Sequence, residues 1–152
     1  MSVTNIPTVL LVEDEPDHAH LIMGVLQREG RLINDIVWLK NGRQAVDYVF
    51  HAGAYADQTL AHPGFILLDL KLPELDGFEV LQHLKEDERV KAIPVVMLTT
   101  SHNAEDAQRA LCLGANDYIV KPFVWADFER KVRELGTYWA LVSDAALAGQ
   151  DR

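Results

Sequence analysis

Apolar residues along this chain gather into short runs, separated by longer stretches in which they recur every three or four positions. The runs are Val9-Leu10-Leu11-Val12, Asp35-Ile36-Val37-Trp38, Phe65-Ile66-Leu67-Leu68, Val95-Val96-Met97-Leu98 and Tyr118-Ile119-Val120. They are rich in β-branched residues and lack polar alternation, the pattern of strands covered on both faces. The stretches between them predict helices over about 16–29, 42–52, 77–87 and 104–113, and from Trp125 onward. In the first of these Leu21, Ile22, Val25 and Leu26 share one stripe. Strand and helix patterns that alternate in this way predict βα units around a parallel sheet. The expected fold is therefore α/β: a doubly wound five-stranded parallel sheet of flavodoxin-like order 2-1-3-4-5, with five helices and an extended C-terminal helix. Sheets of this kind bind ligands at the carboxyl ends of their strands.

Two stretches exceed what so compact a plan requires. Gly53 to Gly64, with its glycines, Pro63 and mixed polarity, reads as a long loop before the third strand. At the other end, Trp125, Phe128, Val132, Leu135, Trp139 and Val142 are spaced 3, 4, 3, 4 and 3 apart, a heptad-like seam. Gly136 inside that seam costs about 1 kcal/mol relative to Ala. The first half of the seam serves to cover the sheet; beyond Leu135, Tyr138, Trp139 and Val142 are expected to meet another molecule. The chain thus divides into a tail over 1–7, a domain over 8–138, and a C-terminal extension over 139–152 that is a candidate dimerisation arm.

Composition narrows the function classes. At 152 residues, 49% hydrophobic and 24% charged, the chain is a soluble globular type able to bury a core without disulfides. A formal net charge of −9 makes its bulk surface repel nucleic acid and anionic lipid. The single cysteine, Cys112, excludes an internal disulfide and suits a reducing cytoplasm. Set between Leu111 and Leu113, it is expected to be a buried small side chain without chemistry. No basic region followed by an apolar run marks the start, so no signal peptide is expected. No apolar run approaches the roughly 20 residues of a membrane span. The six histidines show no metal-ligand spacing.

The candidate chemistry lies at the strand ends. Glu13 and Asp14 follow the first strand, Asp69 ends the third, Thr99 the fourth and Lys121 the fifth. Taken singly, each is an ordinary loop or surface residue. In a parallel sheet, however, all five ends meet on one edge, so three carboxylates, a hydroxyl and an ammonium converge. Three carboxylates so placed repel one another unless a cation relieves them. A hard divalent ion with oxygen ligands does so, and Mg²⁺, with Mn²⁺ as an alternative, suits a partly hydrated site. Phosphoryl transfer asks mainly for charge neutralisation and in-line placement. The ion and Lys121 would supply the charge, and Thr99 a hydrogen bond to a phosphoryl oxygen.

The motifs Leu-Leu-Val-Glu-Asp-Glu, Ile-Leu-Leu-Asp-Leu-Lys-Leu-Pro, Asp-Gly, Pro-Val-Val-Met-Leu-Thr-Thr and Gly-Ala-Asn-Asp-Tyr-Ile-Val-Lys-Pro-Phe stand in this order along the chain. In these the chain resembles the receiver domain of two-component response regulators, over roughly Thr8 to Tyr138. The resemblance implies that Asp69 takes a phosphoryl group from a histidine kinase. It implies a metal site of Glu13, Asp14, Asp69 and the backbone carbonyl of Lys71. Thr99 and Lys121 match the family's hydroxyl and lysine, and Tyr118 its aromatic switch. The Lys121–Pro122 bond is usually cis in the family. Lys71 and Thr100 occupy positions that tune dephosphorylation there, and both differ from the common pattern. The Gly53–Gly64 insertion, Leu-Thr-Thr-Ser-His-Asn-Ala-Glu-Asp and Gly-Thr-Tyr-Trp look like the phytochrome-associated receivers of bacteria and cyanobacteria.

On this reading the partners are a histidine kinase, with a bacterial phytochrome as the candidate, and a second copy of the chain. Too few residues follow the last helix for a DNA-binding or catalytic output domain, so output by protein contact is expected. The dimer surface would be the fourth helix, fifth strand and fifth helix, with Phe128, Val132, Leu135, Trp139 and Val142 in it. Two rivals stand beside it. A degenerate receiver acting only as a binding module would be expected to lose an acidic or lysine position, and all are intact. A haloacid-dehalogenase-type Mg²⁺-dependent aspartyl phosphatase needs a second Asp two residues after the nucleophile, where Lys71 stands, and carries that nucleophile after its first strand.

Overall fold

The computed structural model describes residues 8–28, 35–57, 62–121, 124, 126–127, 129–131 and 133–134. In chain order these form β1 (Val9–Val12), α1 (Pro16–Arg28), β2 (Ile36–Leu39), α2 (Gly42–Phe50), a 3₁₀ turn (Gly53–Tyr55), β3 (Phe65–Leu68), α3 (Gly77–Glu86), β4 (Val95–Thr99), α4 (Ala104–Cys112) and β5 (Asp117–Val120). The strands form one parallel sheet in the order β2-β1-β3-β4-β5, as the βα alternation predicts. The chain divides into two compact units. One holds the whole sheet with α2, α3 and α4; the other holds most of α1 and the helical residues after Lys121.

In the first unit, β1, β3 and β4 are buried along their whole length, on both faces. Leu10, Val12, Ile66, Leu68, Val95 and Met97 form one core with Ala45, Val46 and Val49 of α2 and Val80, Leu81 and Leu84 of α3. Each fully buried side chain of this size contributes about 1.5–3 kcal/mol. β2 and β5 are the sheet's edges and are only part-buried. In α1, Ala19, Ile22, Val25 and Leu26 are buried; of the stripe read from the sequence, Leu21 is only half-buried, and Ala19 takes a buried place that the stripe did not include.

Helix starts follow capping chemistry. Asn41 accepts from the Gln44 amide at 2.8 Å, and Asp76 and Glu79 form a reciprocal capping box. β2 lies one residue later than the apolar run suggested, because Leu39 pairs with Val12 while Asp35 contributes only its carbonyl to Val9. The long loop opens with the 3₁₀ turn, whose Tyr55 packs edge-on against Tyr48 at 5.2 Å. It closes with the Gly64 amide on the Thr8 carbonyl at 2.9 Å.

One expectation is corrected. Cys112 is exposed rather than buried. α4 buries only Ala110, and a residue two positions on points about 200° away around a helix. Leu111 on the same helix is 50% exposed. The seam residues Trp125, Phe128, Val132, Leu135, Trp139 and Val142 lie outside the described residues, as do the Lys121–Pro122 bond, the 1–7 tail and the 139–152 extension. Residues 126, 127, 129–131, 133 and 134 are helical.

Candidate functional site

The strand order reverses between β1 and β3, the position at which doubly wound sheets open a crevice at their carboxyl edge. Register sets Val12 opposite Leu68, so Glu13 and Asp69 leave the sheet side by side. The Asp69 amide continues that ladder by donating to the Val12 carbonyl at 3.1 Å. On the far side Thr99 pairs with Val120, and the Lys121 amide donates to the Thr99 carbonyl at 2.7 Å. Four strand ends thus deliver Glu13, Asp69, Thr99 and Lys121 to one edge.

Those four are the buried polar or charged side chains among the described residues; Asp14 beside them is exposed. Lys121 Nζ donates to Asp69 Oδ2 at 3.1 Å and to Glu13 Oε1. The Glu15 amide donates to Glu13 Oε2 at 3.1 Å, and the Lys71 amide to Asp69 Oδ1 at 3.4 Å. Glu13, Asp14 and Asp69 each offer a carboxylate oxygen, and the three lie within 4.8 Å of one another. Burial first, then the charge of Asp69, pushes the Glu13 carboxyl up to about 7, although the Lys121 ammonium lowers it. Among the described residues, the Lys121 ammonium is paired with two of these three carboxylates, which when all ionised carry an excess of two negative charges over it. An oxygen-only donor set with that excess fits a hard divalent cation.

Close backbone approach shapes the acceptor loop. A Cβ on Gly77 would lie 2.2 Å from the Asp69 carbonyl oxygen and 2.6 Å from Leu70 Cα, so only glycine lets α3 start there. In the same loop Glu74 holds φ at 71°, a left-handed conformation unusual for its type.

Beyond the predicted residues the structure adds Trp38, Ser101 and Asp106. Trp38 Nε1 donates to the Glu13 carbonyl at 2.7 Å. The Ser101 amide donates to Thr99 Oγ1 at 3.2 Å, its hydroxyl to Asp106 Oδ2 at 2.7 Å, and its carbonyl accepts from the Tyr118 hydroxyl at 2.9 Å. Thr99 and Tyr118, predicted as a switch pair, therefore meet through Ser101. No sequence signal marks Trp38, which reads as one more apolar strand residue.

This sheet, with an acidic crevice at its switch point and a buried lysine across from it, is that of a receiver. The chain matches the response regulator receiver domain model over residues 9–133, and it belongs to that family. It is 45% identical over 132 residues to the probable methanogenesis regulatory protein FilR2 of Methanothrix harundinacea, covering 86% of this chain and 82% of that one. It is 35% identical to response regulator Rcp1 of Synechocystis sp., over 86% of this chain and 87% of the other. The Mn²⁺-bound crystal structure of Rcp1 aligns at a TM-score of 0.82 and 34% identity, covering 88% of this chain and 94% of that one. The phosphorylated cyanobacterial phytochrome response regulator RcpA aligns at 0.81 and 34%, with coverage of 88% and 94%. The chain is a two-component response regulator receiver, of a family phosphorylated on aspartate, with phytochrome-associated single-domain relatives. Among the described residues no helix is long and apolar enough to cross a membrane.

Proposed function

We propose that Asp69 accepts a phosphoryl group from a histidine kinase and that the phosphorylated chain signals by protein contact. The observation that carries this is the cluster itself: Asp69 within 4.8 Å of the Glu13 and Asp14 carboxylates, with Lys121 Nζ at 3.1 Å. Glu13, Asp14, Asp69 and the Lys71 carbonyl would hold Mg²⁺, or Mn²⁺ in its place. When bound, the ion supplies the positive charge that lets an anionic phosphoryl group approach an anionic carboxylate. An Asp69 carboxylate oxygen attacks phosphorus as the bond to the kinase imidazole breaks, and the imidazole leaves with the electron pair. Lys121, already on Asp69, stays paired to the charge that accumulates there. The Thr99 hydroxyl accepts from Ser101 and has its own proton to donate to a phosphoryl oxygen. Its movement toward phosphate would pull on Ser101 and through it on Tyr118 and α4.

Catalysis by the chain is confined on this reading to its own phosphorylation and dephosphorylation. We assign residues 8–138 to the receiver domain and 139–152 to a dimerisation arm, with a second copy as partner. A bacterial phytochrome is the candidate kinase, since RcpA, 34% identical, is a cyanobacterial phytochrome response regulator. The net charge of −9 disfavours direct nucleic-acid binding, and the cytoplasm is the proposed place of action.

Intact mass after incubation with acetyl phosphate and Mg²⁺ tests the core of this. One phosphoryl adduct is expected on wild type, none on Asp69→Asn, and none after chelation. An adduct that survives Asp69→Asn would move the acceptor elsewhere. No adduct from acetyl phosphate or from a cognate kinase would make the chain a binding module. Sedimentation of both forms then reads the dimer, expected to strengthen on phosphorylation; equal mass in both rejects that part.

A further inference from the structure

The β1–β2 ladder runs one step past the end of β1, where the Glu13 amide donates to the Leu39 carbonyl at 3.0 Å. Beyond Leu39 the chain turns into α2. The Glu13 carbonyl accepts from a side chain, the Trp38 indole, at 2.7 Å. That indole is itself braced: Trp38 pairs with Leu11 in the sheet, and the Lys40 ammonium sits over its ring, 5.2 Å from the centroid. The peptide linking Glu13 to Asp14 is thereby held through its carbonyl by the Trp38 indole, and the peptide before it is held through the Glu13 amide by the Leu39 carbonyl.

This peptide carries two of the three clustered carboxylates, one buried and one exposed. Their separation from Asp69 depends on how the peptide plane is turned. We propose that Trp38 is a positioning residue for divalent-cation binding, acting through the Glu13 carbonyl to fix Glu13 and Asp14 against Asp69. This rests on the reading of those carboxylates as the cation site. The Trp38 indole N–H is a donor engaged with the Glu13 carbonyl and offers a cation no oxygen, so its loss should weaken cation capture and leave the phosphoryl step itself intact once the site is filled.

The test uses the whole chain in three forms: wild type, Trp38→Phe, and a chain with benzothienylalanine at position 38 alone. That last residue keeps the indole shape and replaces N–H with sulfur. Mn²⁺ affinity is read by electron paramagnetic resonance, and phosphorylation by acetyl phosphate is followed across a Mg²⁺ titration. Loss of one part-buried hydrogen bond to the ligand-bearing peptide predicts about five- to tenfold weaker Mn²⁺ binding in both altered chains. The Mg²⁺ concentration for half-maximal rate should rise by the same factor, with the rate at saturating Mg²⁺ within about twofold of wild type. A benzothienylalanine chain that binds Mn²⁺ as tightly as wild type overturns the role of Trp38 alone. So does one whose saturated rate falls while its affinity holds. Wild type that takes up no Mn²⁺ overturns the cation-site reading and this proposal with it.

Discussion

Gly77→Ala should damage the phosphorylation site without altering any charged or hydrogen-bonding side chain in it. The added Cβ would stand 2.2 Å from the Asp69 carbonyl oxygen and 2.6 Å from Leu70 Cα, where real Cβ contacts essentially never fall below 3.0 Å. Relief requires the first turn of α3 and the Asp69 peptide to part by about 0.8 Å, the difference between 3.0 and 2.2 Å. Neither side yields readily, since the Gly77 amide donates to the Leu70 carbonyl at 2.7 Å and Asp69 is tied to Val12. Overpacking of this kind costs about 1–3 kcal/mol, offset in part by up to about 1 kcal/mol of better helix propensity. The expected net loss is about 1–2 kcal/mol by urea unfolding. A misplacement approaching 1 Å at a reacting group costs on the order of 10²-fold in rate. Phosphorylation by acetyl phosphate at saturating Mg²⁺ should therefore slow by one to two powers of ten, about 10- to 100-fold. A Gly77→Ala chain that keeps both its stability within about 0.5 kcal/mol and its rate within about twofold would refute the steric reasoning.

The remaining predictions concern single groups. In metal-free protein the Glu13 carboxyl titrates at about 7 when folded against an ordinary 4.5, so between these values the folded chain holds a proton the unfolded chain lacks. Glu13's contribution is therefore full below pH 4.5 and lost as pH rises to about 7. Glu13→Gln should be more stable than wild type at pH 8 in chelator, by at most about 3 kcal/mol, with the gap closing toward pH 5; a gap that widens toward acid would contradict it. Glu74→Gly should gain about 0.5–1 kcal/mol by freeing the left-handed φ of 71°, whereas Glu74→Ala should not; equal melting temperatures for the two would remove the argument. Tyr118→Phe loses the 2.9 Å bond to the Ser101 carbonyl, which should cost about 1 kcal/mol in urea unfolding and leave the rate of Asp69 phosphorylation unchanged; a large fall in that rate would place Tyr118 in the chemistry.

Strand and helix periodicity placed β1 and β3 to the residue and the other strands within one position, because buried parallel strands leave unbroken apolar runs. The site was legible for the same reason: residues that end parallel strands share an edge whatever the intervening helices do. Cys112 was misread because an apolar neighbourhood in sequence is not a buried face on a helix that buries only Ala110. Trp38 was missed because its partner is 25 residues away, and nothing in an apolar run announces a needed side-chain donor. Ser101 escaped for a related cause. Its role is to connect Thr99, Asp106 and Tyr118, and a connecting residue has no composition of its own.

The placement of Glu13 accounts for both the stability and the responsiveness of the site. A carboxyl at 1% exposure beside a second carboxylate is costly to ionise, and the Lys121 ammonium offsets only part of that. The metal-free site is thus held in tension between protonating Glu13 and acquiring positive charge from outside. Cation binding relieves it in one direction, and it favours the ionised carboxylates that phosphoryl transfer requires. On the proposed reading, phosphorylation would then shift negative charge outward from Asp69, toward the Thr99 hydroxyl and the Lys121 ammonium. Of these two, Thr99 is joined through Ser101 to α4 and β5, so on that reading the same charge change would also act on the surface that carries Leu111.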